Sequence, residues 1–184
     1  RVDIICPRPS SFSKQKLSLP DNVHFHPSPH GLLLQSFWIR RKGKDLSRSS
    51  KFDVMTVHEY PPFYNGIGAW MLKRVTGVPY ALEIHHIVGC PIAASLKEKI
   101  GYLLSRLFLR FDALGAAAVR TVNKDVKERL SKFKIPDKKL HVVSSFYLDR
   151  ELLESIPNVP IKYDVAFCAR LVENKGLAEV IDAI

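Results

Sequence analysis

Residues 52–63 read FDVMTVHEYPPF, an apolar run set directly against a histidine, a carboxylate and two prolines. The run has the near-continuous apolar character of a strand buried on both faces. Its sequel changes period. Ile67, Trp70, Met71 and Val75 keep one helical face, and Gly77 followed by Pro79 supplies the stop. PYALEI, residues 79–84, is then a second apolar run. Strand, helix and strand at this spacing make a parallel pair joined by a crossover helix.

The same alternation extends in both directions. VDIIC (2–6), GAAAVRTV (115–122), KLHVV (139–143) and YDVAFC (163–168) read as strands, and NVHFH (22–26) as a weaker one. From Leu96 the positions Ile100, Leu103, Leu104, Leu107, Phe108 and Phe111 follow helical spacing, with Lys97, Lys99, Arg106 and Arg110 largely on the other side. A further helix opens at Asn123 as N-cap, places Val126, Leu130 and Phe133 on one face, and ends before Pro136. The fold class expected is α/β, a doubly wound, Rossmann-like parallel sheet. No internal repeat or low-complexity tract interrupts it. The basic stretch SFWIRRKGKDLSRSSK, 36–51, reads either as a solvated helix or as a surface-binding segment.

In such sheets ligands sit beyond the carboxyl ends of the strands. That rule selects His58 and Glu59 after one strand, His85 and His86 after the next, Asn123 and Lys124 after another, and Arg170 after the last. Asn65, Gly66 and Gly68 open the helix after the quoted stretch, where their backbone either meets an acceptor hydroxyl or phosphate or makes a plain turn. Glu59 reads as a partner of His58 or as an acceptor contact. Arg170 and Lys175 flank a helix start, and point charges beside free backbone N–H groups suit a diphosphate. The plain alternative is a pair of solvated loop cations.

In its order of motifs the chain resembles family 4 glycosyltransferases, retaining enzymes of the two-domain GT-B architecture. ARLVENKG, 169–176, is similar to the signature that opens their second domain, with Ala169 where glycine is usual. DVMTVHEYPPF, VPYALEIHH and AAAVRTVNKDVKERLSKFKIPDKKLHVVSS resemble the first domain's successive strand ends, and VDIICPRPS resembles its second strand. The resemblance implies His58 as the catalytic histidine facing the transferred sugar, and Arg170 and Lys175 as donor-phosphate ligands. His85 and His86 take the place of a histidine and an acid. The implied substrates are a nucleotide-sugar donor and a glycan or lipid-linked acceptor, with no metal or other cofactor required.

That reading divides the chain into an acceptor-side domain lacking its first strand (1–146), a linker (147–160) and the start of a donor-binding domain (161–184). Truncation at both ends is expected, since neither the family's opening glycine-rich loop nor its paired-glutamate motif is present. Residues 161–184 are too few to bury a core of their own. A non-catalytic remnant or binding module that needs a partner chain is the alternative function.

Composition sets outer limits. With 184 residues, 46% of them hydrophobic, the chain can bury a real core. A net charge of +10 calls for anionic partners. Phe37 and Trp38 beside Arg40, Arg41 and Lys42 suit an anionic membrane surface. A nucleic-acid-binding α/β protein is the weaker reading, because no helix-turn-helix, zinc-finger or RNA-recognition signature accompanies the charge. The odd number of well-separated cysteines, Cys6, Cys90 and Cys168, argues against a disulfide framework or zinc cluster. Three imidazoles such as His58, His85 and His86 could hold zinc, but their spacing fixes no tetrahedral site, and His24, His26 and His30 read as ordinary loop histidines. The absence of a long apolar run or a signal-peptide order points to a cytoplasmic chain, peripheral on the cytoplasmic membrane face.

Overall fold

A computed structural model describes residues 1–7, 20–59, 64–90, 93, 95–144, 160, 162–169 and 175–184. Its main elements are β1 (Val2–Cys6), β2 (Val23–Pro27), α1 (Gln35–Ser49), β3 (Met55–His58), α2 (Tyr64–Thr76), β4 (Tyr80–Ile84), α3 (Leu96–Gly115), β5 (Ala118–Thr121), α4 (Lys124–Lys132), β6 (Leu140–Val142) and α5 (Leu177–Asp182). Every strand pairing among the described residues is parallel. The fold is the expected mixed α/β, Rossmann-like arrangement.

The strands fall into two sheets rather than one. β1 pairs with β2, and β3, β4, β5 and β6 follow in order in a four-stranded sheet. The strand expected over 163–168 does not form among residues 162–169. A strand requires a neighbour for its backbone N–H and C=O groups, and no described segment pairs with this one. The helix expected after it is α5, and the linker boundary lies largely outside the described residues.

The core packs α2, α3 and α4 against β4, β5 and β6, with Tyr80, Leu82, Ile84, Val119 and Leu130 fully buried. Two helix faces differ from the expected ones. In α2 the buried residues are Gly66, Gly68, Ala69 and Leu72, while Val75 is exposed. The cause is close helix approach. A Cβ on Gly43 of α1 would overlap Leu72, and one on Gly68 would lie 2.9 Å from Ile39 Cβ. Glycine stripes carry no hydrophobic signal, so periodicity selects the adjacent row of large side chains.

In α3 the inward residues are Ser105, Leu109, Asp112 and Ala113. The leucine-rich stripe faces outward, with Leu103 66% and Leu107 65% exposed. The 36–51 segment is α1, and it buries Ile39, Gly43 and Leu46 against α2 while Phe37 stays exposed. Trp38 is half-buried and donates from Nε1 to the His26 carbonyl at 3.4 Å, tying β2 to α1.

The sheet end of α3 is satisfied by side chains from other elements. Lys139 Nζ donates to the carbonyls of Ala113 (3.1 Å), Leu114 (2.8 Å) and Ala116 (2.8 Å), and Lys73 Nζ donates to Gly115 at 2.8 Å. Cations at a helix C-terminus complement its dipole and its orphan carbonyls. Burial, with Lys73 and Lys138 nearby, holds the Lys139 ammonium below the ordinary lysine value. Lys139→Met keeps the stem and removes the donors. It is expected to lower stability by about 2 kcal/mol, read as a drop in the urea midpoint at unchanged slope.

Candidate functional site

The parallel register sets a row of polar residues across the four-stranded sheet. His58 is opposite Glu83, Glu83 opposite Arg120, and Arg120 opposite His141. Glu83 is the buried centre of the row, 8% exposed. Arg120 donates from Nη1 to Glu83 Oε2 at 2.8 Å, and its other nitrogens reach the carbonyls of Val143 (3.3 Å) and Ser144 (3.1 Å).

Two imidazoles converge on the same carboxylate oxygen. His58 Nε2 lies 3.4 Å and His85 Nε2 3.3 Å from Glu83 Oε2. Their rings are 5.0 Å apart and tilted by 57°. Strand geometry accounts for the meeting: Glu83 faces His58 across the ladder, and His85, two residues on, returns to the same side. His58, Glu83 and His85 form a group of donor atoms all within 4.8 Å of one another, and His86 is not part of it.

The other selected residues are held by local bonds. Asn65 Nδ2 donates to the His58 carbonyl at 2.8 Å, pinning the strand end. The Gly66 N–H donates to Glu59 Oε2, so this buried carboxylate holds the first turn of α2 and satisfies one of its orphan donors. Asn123 Oδ1 accepts from the Val126 N–H at 2.9 Å and caps α4 as expected. Lys175 is exposed and precedes Gly176, the N-cap of α5 at φ 73°. Arg170 lies outside the described residues.

Behind the lip sits a second carboxyl group that sequence reading did not select. Asp112 of α3 is fully buried, and neither of its side-chain oxygens meets a hydrogen-bond partner among the described residues. A Cβ on Gly66 would overlap its carboxyl group, so only glycine fits there. Burial, with the Glu59 charge adding to it, pushes the Asp112 carboxyl up to about 9. Asp112 therefore carries its proton at neutral pH. Glu59 and Asp112 together brace the start of α2, whose Asn65 holds the His58 carbonyl.

All three cysteines are free. His26 is a structural histidine, its Nε2 2.9 Å from Asp3 Oδ1.

The family model of Glycosyltransferase Family 4 matches residues 1–146, the stretch that carries both sheets and the histidine pair. The chain belongs to glycosyltransferase family 4. No curated protein matches it. Membership implies a sugar donor and an acceptor as substrates in general terms. Glu83 and Arg120 were hidden because the runs that contain them read as apolar strands. Their signal was an acid and a base inside consecutive buried strands, at positions that the parallel register aligns.

Proposed function

We propose that this chain is the acceptor side of a retaining glycosyltransferase that moves a sugar from a nucleotide-sugar donor to a glycan or lipid-linked acceptor. The observation that supports it most is the convergence of His58 and His85 on Glu83 at the carboxyl edge of the sheet, in a chain of this family. In this reading the His58 imidazole bonds a hydroxyl of the transferred sugar, and Glu83 with Arg120 fixes the edge from which it works. Arg170 and Lys175 stabilise the leaving diphosphate electrostatically, and transfer needs no metal. The acceptor attacks from the face that the leaving group vacates, which retains the anomeric configuration.

The decisive assay supplies nucleotide sugars and candidate acceptors to the full-length protein and follows nucleoside diphosphate release, with the product anomer read by NMR. Retention is the expected outcome. An inverted product, or hydrolysis and transfer both absent across the panel, rejects the reading.

The membrane partner is proposed on α3 rather than on the 36–51 segment. No helix among the described residues is long and apolar enough to cross a membrane. Leu96, Ile100, Leu103 and Leu107 instead form an exposed apolar stripe, and the groove along it is edged by Arg106, Arg110 and Lys134. A helix with this pattern lies in an anionic headgroup layer, which suits a lipid-linked acceptor at the cytoplasmic face. The chain is expected to sediment with phosphatidylglycerol vesicles and not with phosphatidylcholine vesicles. Leu103→Glu with Leu107→Glu is expected to abolish the binding, and undiminished binding by that variant rules out α3 as the contact.

A further inference from the structure

We propose that His58, Glu83 and His85 form a zinc site at the carboxyl edge of the sheet, and that its occupation blocks the imidazole the transfer reaction uses. The site itself stands on coordination geometry alone. Only its effect on transfer rests on the functional reading above.

The donor spacing is the first argument. His58 Nε2 and His85 Nε2 lie 3.4 and 3.3 Å from Glu83 Oε2, with all three atoms within 4.8 Å of one another. Ligand atoms bound at about 2.0–2.1 Å around a tetrahedral zinc sit about 3.3 Å apart. A charge-assisted hydrogen bond between an imidazole and a carboxylate would close to about 2.7–2.9 Å. Arg120 makes such a bond to Glu83 at 2.8 Å, whereas His85 Nε2 makes only a long hydrogen bond to it at 3.3 Å and His58 Nε2 stands at 3.4 Å. Their separations match the edges of a coordination polyhedron better than a pair of strong hydrogen bonds.

Chemistry and support form the second argument. Two imidazoles and a carboxylate are a donor set that zinc takes in sites with an open fourth position, filled by water. Such a position is available, because the His58 side chain is 67% exposed and the His85 side chain 41%. Each donor is carried by a strand or strand end whose register is fixed, so the group needs little ordering. Arg120 anchors the carboxylate as an outer partner, and a carboxylate has lone pairs enough to serve both a guanidinium and an ion. The guanidinium charge also repels a dication. The site is therefore a weak, exchangeable one, suited to sensing zinc rather than storing it.

Zinc on His58 Nε2 takes the lone pair that a sugar hydroxyl would otherwise meet. The consequence is reversible inhibition of an enzyme whose own transfer step requires no metal.

Titration of the chain with Zn²⁺ against a chromophoric chelator tests the site, with Co²⁺ as spectroscopic probe. One zinc per chain is expected, together with the intense visible absorption of low-coordinate cobalt. His58→Ala, His85→Ala and Glu83→Gln are each expected to weaken binding by more than about tenfold, the loss that removing even an outer partner brings. Glu83→Gln still accepts a bond from Arg120, and circular dichroism checks that each variant is folded. His26→Ala and His86→Ala are expected to bind as the parent does. Binding unaltered in the His58→Ala, His85→Ala double variant, or lost in His26→Ala instead, overturns the proposal. Zinc that binds as expected yet leaves transfer unchanged supports the site and removes His58 from the reaction.

Discussion

His58→Ala is expected to cut glycosyl transfer by about 10²–10⁴-fold, the range for a positioned acid–base side chain, while leaving the folded structure intact. The His58 side chain is 67% exposed, and among the described residues its closest polar contact is the 3.4 Å approach to Glu83. Removing it strands no buried partner, since Glu83 keeps the 2.8 Å bond from Arg120. Exposed substitutions of this kind shift stability by about 0.5 kcal/mol or less. A loss of activity without a loss of stability is thus the signature of a substrate contact. The division between kinetic constants sharpens it. Removing a group that bonds the sugar mainly in the transition state lowers kcat, whereas removing one that merely binds substrate raises KM. Near-parental kcat in the variant rejects His58 as the catalytic residue. Inactivity accompanied by a large fall in melting temperature would instead assign it to the fold.

The parts of this molecule legible from sequence are those written in local pattern. The runs at 2–6 and 79–84 became β1 and β4 almost to the residue, and Asn123 caps α4 because a short acceptor side chain ahead of an amphipathic run has few other uses. The stripes chosen for α2 and α3 failed for a common reason. The inward side of α2 is glycine and alanine and that of α3 includes Ser105 and Asp112, so hydrophobic periodicity follows a neighbouring or outward face. The site shows the same division. His58 and His85 were legible because each ends a strand. Glu83 and Arg120 interact only once β4 and β5 pair in register, and single-chain periodicity does not encode that register. Asp112 was least visible of all, because an aspartate in a lysine- and arginine-bearing helix reads as surface.

Asp112 makes the folded chain sensitive to alkali, and Asp112→Asn is expected to remove most of that sensitivity. In the folded state burial, then the Glu59 charge, raises its carboxyl from 3.8 to about 9, while the unfolded chain exposes an ordinary aspartate. Between these values the unfolded state binds fewer protons than the folded one, so stability falls as pH rises. The contribution is fully present below the ordinary carboxylate range and is lost progressively towards pH 9. By pH 7 the loss amounts to about 4 kcal/mol relative to acid conditions. Asparagine keeps the shape of the protonated side chain and has no proton to lose. Urea unfolding from pH 5 to 8 at constant ionic strength is expected to show a falling midpoint for the parent and a much flatter one for Asp112→Asn, with the variant the more stable at pH 8. Parallel profiles would show that the Asp112 carboxyl is not raised in the folded state. The carboxyl group packs on Gly66 in the first turn of α2, and Asn65 of the same turn holds the His58 carbonyl, so any opening of this turn that exposes Asp112 releases its proton and becomes easier as pH rises. The fall in midpoint is therefore expected to be matched by falling protection factors, corrected for the intrinsic pH dependence of exchange, in the first turn of α2, and both effects are expected to shrink together in the asparagine variant.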